Sequence, residues 1–338
     1  MQENRLKSDF ICLCPQCHYG SLCQFSIEGI GFTLDSLVIQ IHRDIRVMYL
    51  IFAFLTFVIG GISNYASIVT FKRSNLRKVS MSIYMWILSL IGQYSLFSLN
   101  MKIVLIFFDS LMNDVSCKII SYLHSVSIRC SFWITSWIAI ERVCYLLFPY
   151  STVLKKPRIA TIISFSTLIL VGAMHIHELI FYRKLIDLNS QSVCIVEYPS
   201  NWRIYDRISV LIHYLIPFSI QILSITLLII LAARSRSRTS NNHDPFLKYL
   251  KKQFKRQKDL YIPPSVIVVS GLPQTILSFS FACLELNTWQ QHSLLLAYFL
   301  SFAPQLLGFV LFVLPSTNYM KEFESTKLSK TILFRCII

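Results

Sequence analysis

The chain has 338 residues, of which 54% are hydrophobic and only 14% charged, with a formal net charge of +15. Soluble domains carry nearer about 25% charged residues, so a water-soluble fold is excluded. The basic surplus does not point to nucleic acid, because it lies in short loops between long apolar runs.

Residues 1–46 form an expected outer tail, and its first part is dense in cysteine: Cys12, Cys14, Cys17 and Cys23. No continuous apolar core of a signal peptide occurs in residues 1–25. The first span would then insert as its own signal, or the chain begins upstream of Met1. The segment Cys12-Leu-Cys14-Pro-Gln-Cys17-His-Tyr-Gly20-Ser-Leu-Cys23 resembles the closing half of an EGF-like module. Cys17 stands where that pattern has its first glycine, and the opening three cysteines of a module are missing. Residues 10–25 are therefore read as an EGF-like remnant. A zinc knuckle, whose spacing fits poorly, and an unstructured tail remain as alternatives.

Seven apolar segments follow. Residues 47–71, 79–101, 208–233 and 260–284 contain no Lys, Arg, Asp or Glu, and 286–320 is also uncharged. Residues 119–148 and 159–182 are apolar with a few charges inside. A helix crossing the hydrocarbon core needs roughly 20 apolar residues. Unpaired backbone cannot face lipid, which leaves helices as the reading for runs this long. The expected fold is all-α: a seven-helix transmembrane bundle over 47–320, then a cytoplasmic tail, 321–338, that includes a short amphipathic helix. Lys72, Arg73, Arg77 and Lys78 follow the first span, and Lys155, Lys156 and Arg158 follow the third. Nine Lys or Arg lie between Arg234 and Lys258 against one Asp. By the positive-inside rule these loops are cytoplasmic, so the amino end faces outward and the carboxyl end inward. The run Arg234-Ser-Arg-Ser-Arg-Thr-Ser-Asn-Asn is expected to be a polar loop.

The third span is the most informative. Cys117, Ser121, His124, Ile128, Ser131, Thr135, Ile138 and Arg142 share one helix face. That face is too polar for lipid, so it points into the bundle. Glu141 and Arg142 stand 24 and 25 residues after Cys117, and Pro149 is seven past Arg142. This layout resembles the rhodopsin-like G-protein-coupled receptors. Other spans carry the same resemblance: Asn64 in the first, Pro217 in the fifth, Pro273 in the sixth, and Pro315 with Tyr319 in the seventh. It covers about residues 47–335.

The resemblance implies a multi-pass plasma-membrane receptor that is not an enzyme, needs no cofactor or metal, and transduces an extracellular peptide or small-molecule ligand to a heterotrimeric G protein. Glu141, Arg142 and Pro149 would form the coupling edge. Asn64, Pro217, Pro273, Pro315 and Tyr319 would act as activation switches. Cys117 and Cys194 would be joined as the family's outer disulfide. Ser235, Ser237, Thr239, Ser325 and Thr326 are positioned for phosphorylation that ends signalling, with arrestin as a partner. Cys336 is a lipidation candidate.

Departures bear on mechanism. The stretch Leu90-Ile-Gly-Gln93-Tyr94 offers no carboxylate for the family's sodium site, and Ser270-Gly271-Leu272-Pro273 lacks its aromatic toggle. Ligand-pocket candidates are His124, Ile128 and Arg129. His124 stands where amine receptors carry an Asp, which argues against an amine. No Lys lies in 286–320, which excludes a retinal Schiff base. A peptide remains as the ligand class, and the chain is nearest in look to the FMRFamide-type neuropeptide receptors of invertebrates.

An intramembrane ionisable residue is a functional candidate, so Arg129 is notable. It lies about 140° round the helix from His124 and is expected to face a neighbouring helix rather than the same pocket wall. A backbone carbonyl, a water or Glu178 are its candidate partners. His175, His177 and Glu178 could be read as zinc ligands of a seven-span hydrolase, but positions two apart do not share a helix face and no further Asp/His cluster matches, so they read as polar residues at the outer membrane boundary. The rival reading from another class is a channel or transporter, and a third is a non-signalling pseudo-receptor.

Overall fold

A computed structural model describes residues 18–19, 25–26, 34–39, 43–108, 111–148, 156–186, 192–196, 198–239, 258–281 and 286–329. Cys12, Cys14, Cys17, Cys23, Pro149 and Cys336 lie outside the described residues. In the amino-terminal tail, His18–Tyr19 and Phe25–Ser26 pair as a short antiparallel ladder.

Helices occupy all seven apolar segments. The first span is Arg43–Phe71, the second Ser80–Phe107 and the third Asp114–Leu147. The fourth is broken into Pro157–Met174 and Ile176–Phe181. The fifth is Ser200–Thr239 and the sixth Lys258–Ser280. The seventh is interrupted, as Thr288–Leu300, Ala303–Leu306 and Gly308–Phe312, and a juxtamembrane helix follows at Thr317–Glu324.

Four of these are long and apolar enough by themselves to cross a membrane: the first, second, fourth and fifth. The third contains Lys118, Arg129, Glu141 and Arg142 and is held mostly inside the bundle. The sixth offers a shorter apolar stretch, Ile262–Ser278. The breaks of the seventh leave no single long helix.

The bundle is apolar outside and more polar within. Ile169 is 71% exposed on the fourth span, and Ile62, Leu223 and Val269 are exposed on others. Lipid takes up these side chains, so no penalty attaches to their exposure. On the third span Cys117, Ser121, His124, Ile128, Ser131, Thr135 and Ile138 are all buried. The predicted inward face is there, and burial extends beyond it to Cys130, Phe132, Ile134 and Ser136. This helix is the axle on which the second, fourth and fifth spans pack.

Several boundaries depart from expectation. The third helix begins at Asp114 because Asn113 and Ser116 form a capping box: Ser116 N–H donates to Asn113 Oδ1 at 2.7 Å, and Asn113 N–H to Ser116 Oγ at 3.0 Å. The fifth helix runs to Thr239, where a loop from Arg234 is expected. No Gly or Pro interrupts 234–239 and Arg is a good helix former, so the helix continues past the bilayer; its 40 residues give about 60 Å against a core of about 30 Å. The outer loop after the fourth span is an antiparallel hairpin, Tyr182–Ile186 with Ser192–Val196, in which Lys184 pairs with Cys194. A tail helix, Leu34–Ile39, lays Leu34, Leu37 and Val38 into the core of the outer bundle. This part of the tail therefore packs with the 47–320 body.

Candidate ligand cavity and inner coupling edge

A cavity of about 200 Å³ opens in the outer half of the bundle. Its walls include His124, Ile128 and Arg129 of the third span, Lys102 of the second, Tyr214 of the fifth and Tyr298 of the seventh. Leu34 of the tail helix and Tyr182, Val196 and Tyr198 of the outer loop close it from above, and Glu178, Asp206 and Gln274 add polar groups.

The disulfide Cys117–Cys194 fastens the hairpin over this cavity, with Cα atoms 5.6 Å apart. It closes a loop of sequence separation 77, which stabilises by about 4 kcal/mol on the chain-entropy model. Asp114 Oδ1 accepts from Lys184 N–H at 2.8 Å, and Lys184 Nζ donates to Met112 O at 2.8 Å. These bonds fix the other strand of the hairpin to the start of the third helix.

Within the cavity Arg129 and Glu178 are already paired. Arg129 Nη1 donates to Glu178 Oε1 at 3.1 Å, and both residues are buried. An isolated charge at such depth costs several kcal/mol, and pairing offsets it. Arg129 also reaches the cavity that His124 lines, contrary to the angular expectation of separate walls. The long guanidinium arm spans the difference in helix angle.

His124 is engaged from both sides. Its Nδ1 lies 3.0 Å from Ser98 Oγ and its Nε2 bonds to Tyr298 OH. Phe302 stacks on the ring with centroids 5.6 Å apart. His124 thus ties the second, third and seventh spans together. Lys102 is buried, with Nζ 5.7 Å from the centre of the Tyr182 ring. Burial, and then the charge of Asp206, raise the Tyr198 phenol above its ordinary range, so that it stays protonated and can donate.

Below the cavity lies an aromatic layer. Phe132 meets Phe218 edge-on with centroids 5.2 Å apart, and Tyr214 at 5.3 Å. Gly271 leaves room for this layer, since a Cβ there would stand 2.6 Å from Phe218 Cζ. The third and fifth spans supply the rings of this layer. Pro217 breaks the fifth-span ladder, and its carbonyl accepts from Ser136 Oγ at 3.1 Å. Asn64 Nδ2 donates to Gln93 Oε1 at 3.5 Å. A narrow cavity beside it is lined by Asn64, Ser89, Ser131, Thr135 and Gln305, polar groups without charge.

At the inner edge Glu141 is buried and accepts from Ser80 Oγ at 3.0 Å. Tyr145 also hydrogen-bonds this carboxylate, and the Arg142 charge lies within its field. Tyr319 packs edge-on against Phe71 at 5.2 Å, and Phe323 against Phe309 at 4.7 Å. Glu322 accepts from Asn75 Nδ2 at 2.9 Å and meets Arg73 Nε at 3.5 Å. Pro273 lies within the sixth helix, and Pro315 in the turn between the seventh span and the juxtamembrane helix. Cys130 is a buried free thiol and Cys144 a half-buried one.

The fourth span gathers His175 and His177, which helical phase alone would separate, with Glu178. Its helix stops at His175, where φ is −102° and ψ 8°. A new turn begins at Ile176, with Glu178 N–H donating to His175 O at 3.0 Å. One ligand atom each from His175, His177 and Glu178 then lies within 4.8 Å of the others, all three residues buried. The expectation that these side chains diverge is corrected by this break, which has no Gly or Pro to announce it. Lys102, Ser98, Tyr298, His213 and Asp206 also escaped sequence reasoning, since only the packing brings them to the site.

Two comparisons bear on what the site belongs to. A family model described as "7 transmembrane receptor (rhodopsin family)" matches residues 63–338. No curated protein matches the chain.

Proposed function

The chain belongs to the rhodopsin family of seven-transmembrane receptors, and from that premise we propose that it carries an extracellular peptide signal to a heterotrimeric G protein. As a family member it is a non-enzymatic, multi-pass receptor of the plasma membrane. The amino end faces outward in this proposal, on the strength of the basic loops at the other face.

One observation favours a peptide. The outer cavity holds the Arg129–Glu178 ion pair together with Lys102, Asp206 and several phenols. Such a wall offers donors, acceptors and both signs of charge at fixed positions, which suits a backbone and mixed side chains. A ligand carboxylate or amide oxygen would compete with Glu178 for Arg129. An amine would instead need an unengaged carboxylate at the position of His124, which is taken up by Ser98 and Tyr298. Arg142 at the inner end of the third span, beside Glu141 and ahead of Pro149, is assigned to meet the G protein. Agonist and G protein would act by favouring the same packing of the bundle. Asn64, Pro217, Pro273, Pro315 and Tyr319 are assigned as positions where that packing changes. Arrestin is assigned to the phosphorylated tail and third inner loop.

The test is expression in cells with calcium and cyclic-AMP readouts, challenged with a library of amidated peptides. A response that Arg142→Ala abolishes at normal surface expression supports the assignment. Arg129→Leu should weaken potency for that peptide. Unchanged potency at normal surface expression would dismiss Arg129 as a ligand contact, and a response only to non-peptide ligands would overturn the peptide reading.

A further inference from the structure

Neither ring nitrogen of His175 has a hydrogen-bond partner, although the side chain is wholly buried. A buried imidazole left in this state is costly. Its Nδ1 stands 3.6 Å from Glu178 Oε1, too far for a hydrogen bond. His177 completes the group. It is buried, its Nδ1 lies 3.0 Å from Met174 O, and its Nε2 3.3 Å from Asp206 Oδ1.

We propose that His175, His177 and Glu178 form a binding site for a divalent transition-metal ion of the zinc class at the break in the fourth span. Two imidazoles and a carboxylate are a common zinc set with a fourth position left open. Tetrahedral zinc needs ligand atoms about 3.3 Å apart, given bonds of about 2.0–2.1 Å. The three groups begin within 4.8 Å, so side-chain rotation closes the site without moving the backbone.

The surroundings supply the second layer of contacts that metal ligands require. Met174 O is placed to accept a hydrogen bond from Nδ1–H of His177, which leaves the lone pair on Nε2. Arg129 holds Glu178 Oε1, which orients that carboxylate. Asp206 adds a second negative charge beside His177, offsetting the Arg129 charge. His213, whose ring centroid is 4.8 Å from that of His175, is not a ligand. Its Nδ1 accepts from Trp133 Nε1 at 2.8 Å, which places its proton on Nε2.

There is also a way in. A groove of about 390 Å³, bordered by His177, Met174, Trp202 and Tyr205, reaches one side of the cluster. Glu178 opens on the polar cavity at the other side. The site thus adjoins the proposed ligand cavity and shares Glu178 with its wall, and it requires no ligand or G protein to fill.

The experiment uses the full-length receptor, purified without a polyhistidine tag and carrying Cys12→Ser, Cys14→Ser, Cys17→Ser and Cys23→Ser so that the tail thiolates cannot compete. Zn²⁺ is titrated against a fluorescent chelator, and Co²⁺ is added in parallel for its visible spectrum. The expected result is one ion per chain, a cobalt spectrum without thiolate charge transfer, and a higher thermal midpoint with zinc. Glu178→Gln and His175→Phe should each weaken binding at least about tenfold, whereas His292→Phe should leave it unchanged. Absence of saturable binding to the unsubstituted cluster would overturn the proposal, as would thiolate charge transfer or equal affinity in the cluster variants. Should a variant fail to fold, the stoichiometry and cobalt spectrum of the unsubstituted cluster still decide the matter. None of these readouts depends on signalling, so their failure is separate from failure of the receptor assignment.

Discussion

In the outer half of the bundle Lys102, Arg129, Glu178 and Asp206 border one cavity. In the middle layer the polar groups are Asn64, Ser89, Ser131, Thr135 and Gln305, none of them charged. The two layers are satisfied differently. Ser89, Ser131 and Thr135 each donate to the carbonyl four residues back on their own helix, at 2.8, 3.0 and 3.0 Å. Such bonds need no neighbour. The Arg129 charge of the third span is answered across helices, by Glu178 of the fourth. A single change at Arg129 or Glu178 therefore breaks a tertiary charge pair, while one at Ser89 or Ser131 removes a local bond; the tertiary links of the middle layer, Asn64 to Gln93 and Gln221 to Thr135, are between uncharged groups.

The largest expected effect follows from that contrast. Glu178→Leu leaves the Arg129 charge buried and unpaired, and should destabilise the receptor by about 3–5 kcal/mol. Adding Arg129→Leu should recover most of the loss, because two apolar side chains of similar size need no partner. Thermal unfolding of the solubilised receptor, followed by labelling of the buried Cys130 thiol, measures both. If the single and double variants lose stability equally, the pair is not what holds the outer layer, and the comparison fails.

How much of this was legible in the sequence follows the same division. The helices were, because lipid forces apolar runs of this length to satisfy their own backbone. The inward face of the third span was, because Cys117 to Ile138 repeats with the helical period. What needed the fold were the contacts across spans. The break at His175 carries no Gly or Pro, so nothing in composition signals that His175, His177 and Glu178 converge. The aromatic layer was also hidden. The sequence shows that Ser270-Gly271-Leu272, directly before Pro273, holds no aromatic, but not that Phe132 and Phe218 fill the space over Gly271. The hairpin over the cavity is short, and its second strand is tied to the third helix by the bond from Cys194 to Cys117. A tail helix that buries Leu34, Leu37 and Val38 has too few residues to stand out from the surrounding sequence.

Gly271 sits at the boundary between the two layers and gives an intermediate test. Gly271→Ala places a methyl 2.6 Å from Phe218 Cζ. Overpacking of this kind costs about 1–3 kcal/mol. Pairing it with Phe218→Leu, which shortens the opposing side chain, should return part of that stability. If Gly271→Ala is neutral or stabilising, the sixth span moves freely against the fifth, and the aromatic layer is not a fixed floor for the cavity.

The smallest effect belongs to the inner edge. Glu322 links the juxtamembrane helix to the first inner loop through Asn75 and Arg73. The Arg73 side chain is 46% exposed, so solvent and salt screen its charge, and pairs of this kind contribute about 0.2–1 kcal/mol. Glu322→Gln removes the charge but keeps an oxygen to accept from Asn75. Its effect on thermal unfolding should therefore fall at the lower end of that range and disappear as salt is raised. A larger, salt-insensitive loss would show the inner edge to be held by charge as the outer cavity is, and the contrast between them would then rest on depth in the bilayer rather than on how each layer finds its partners.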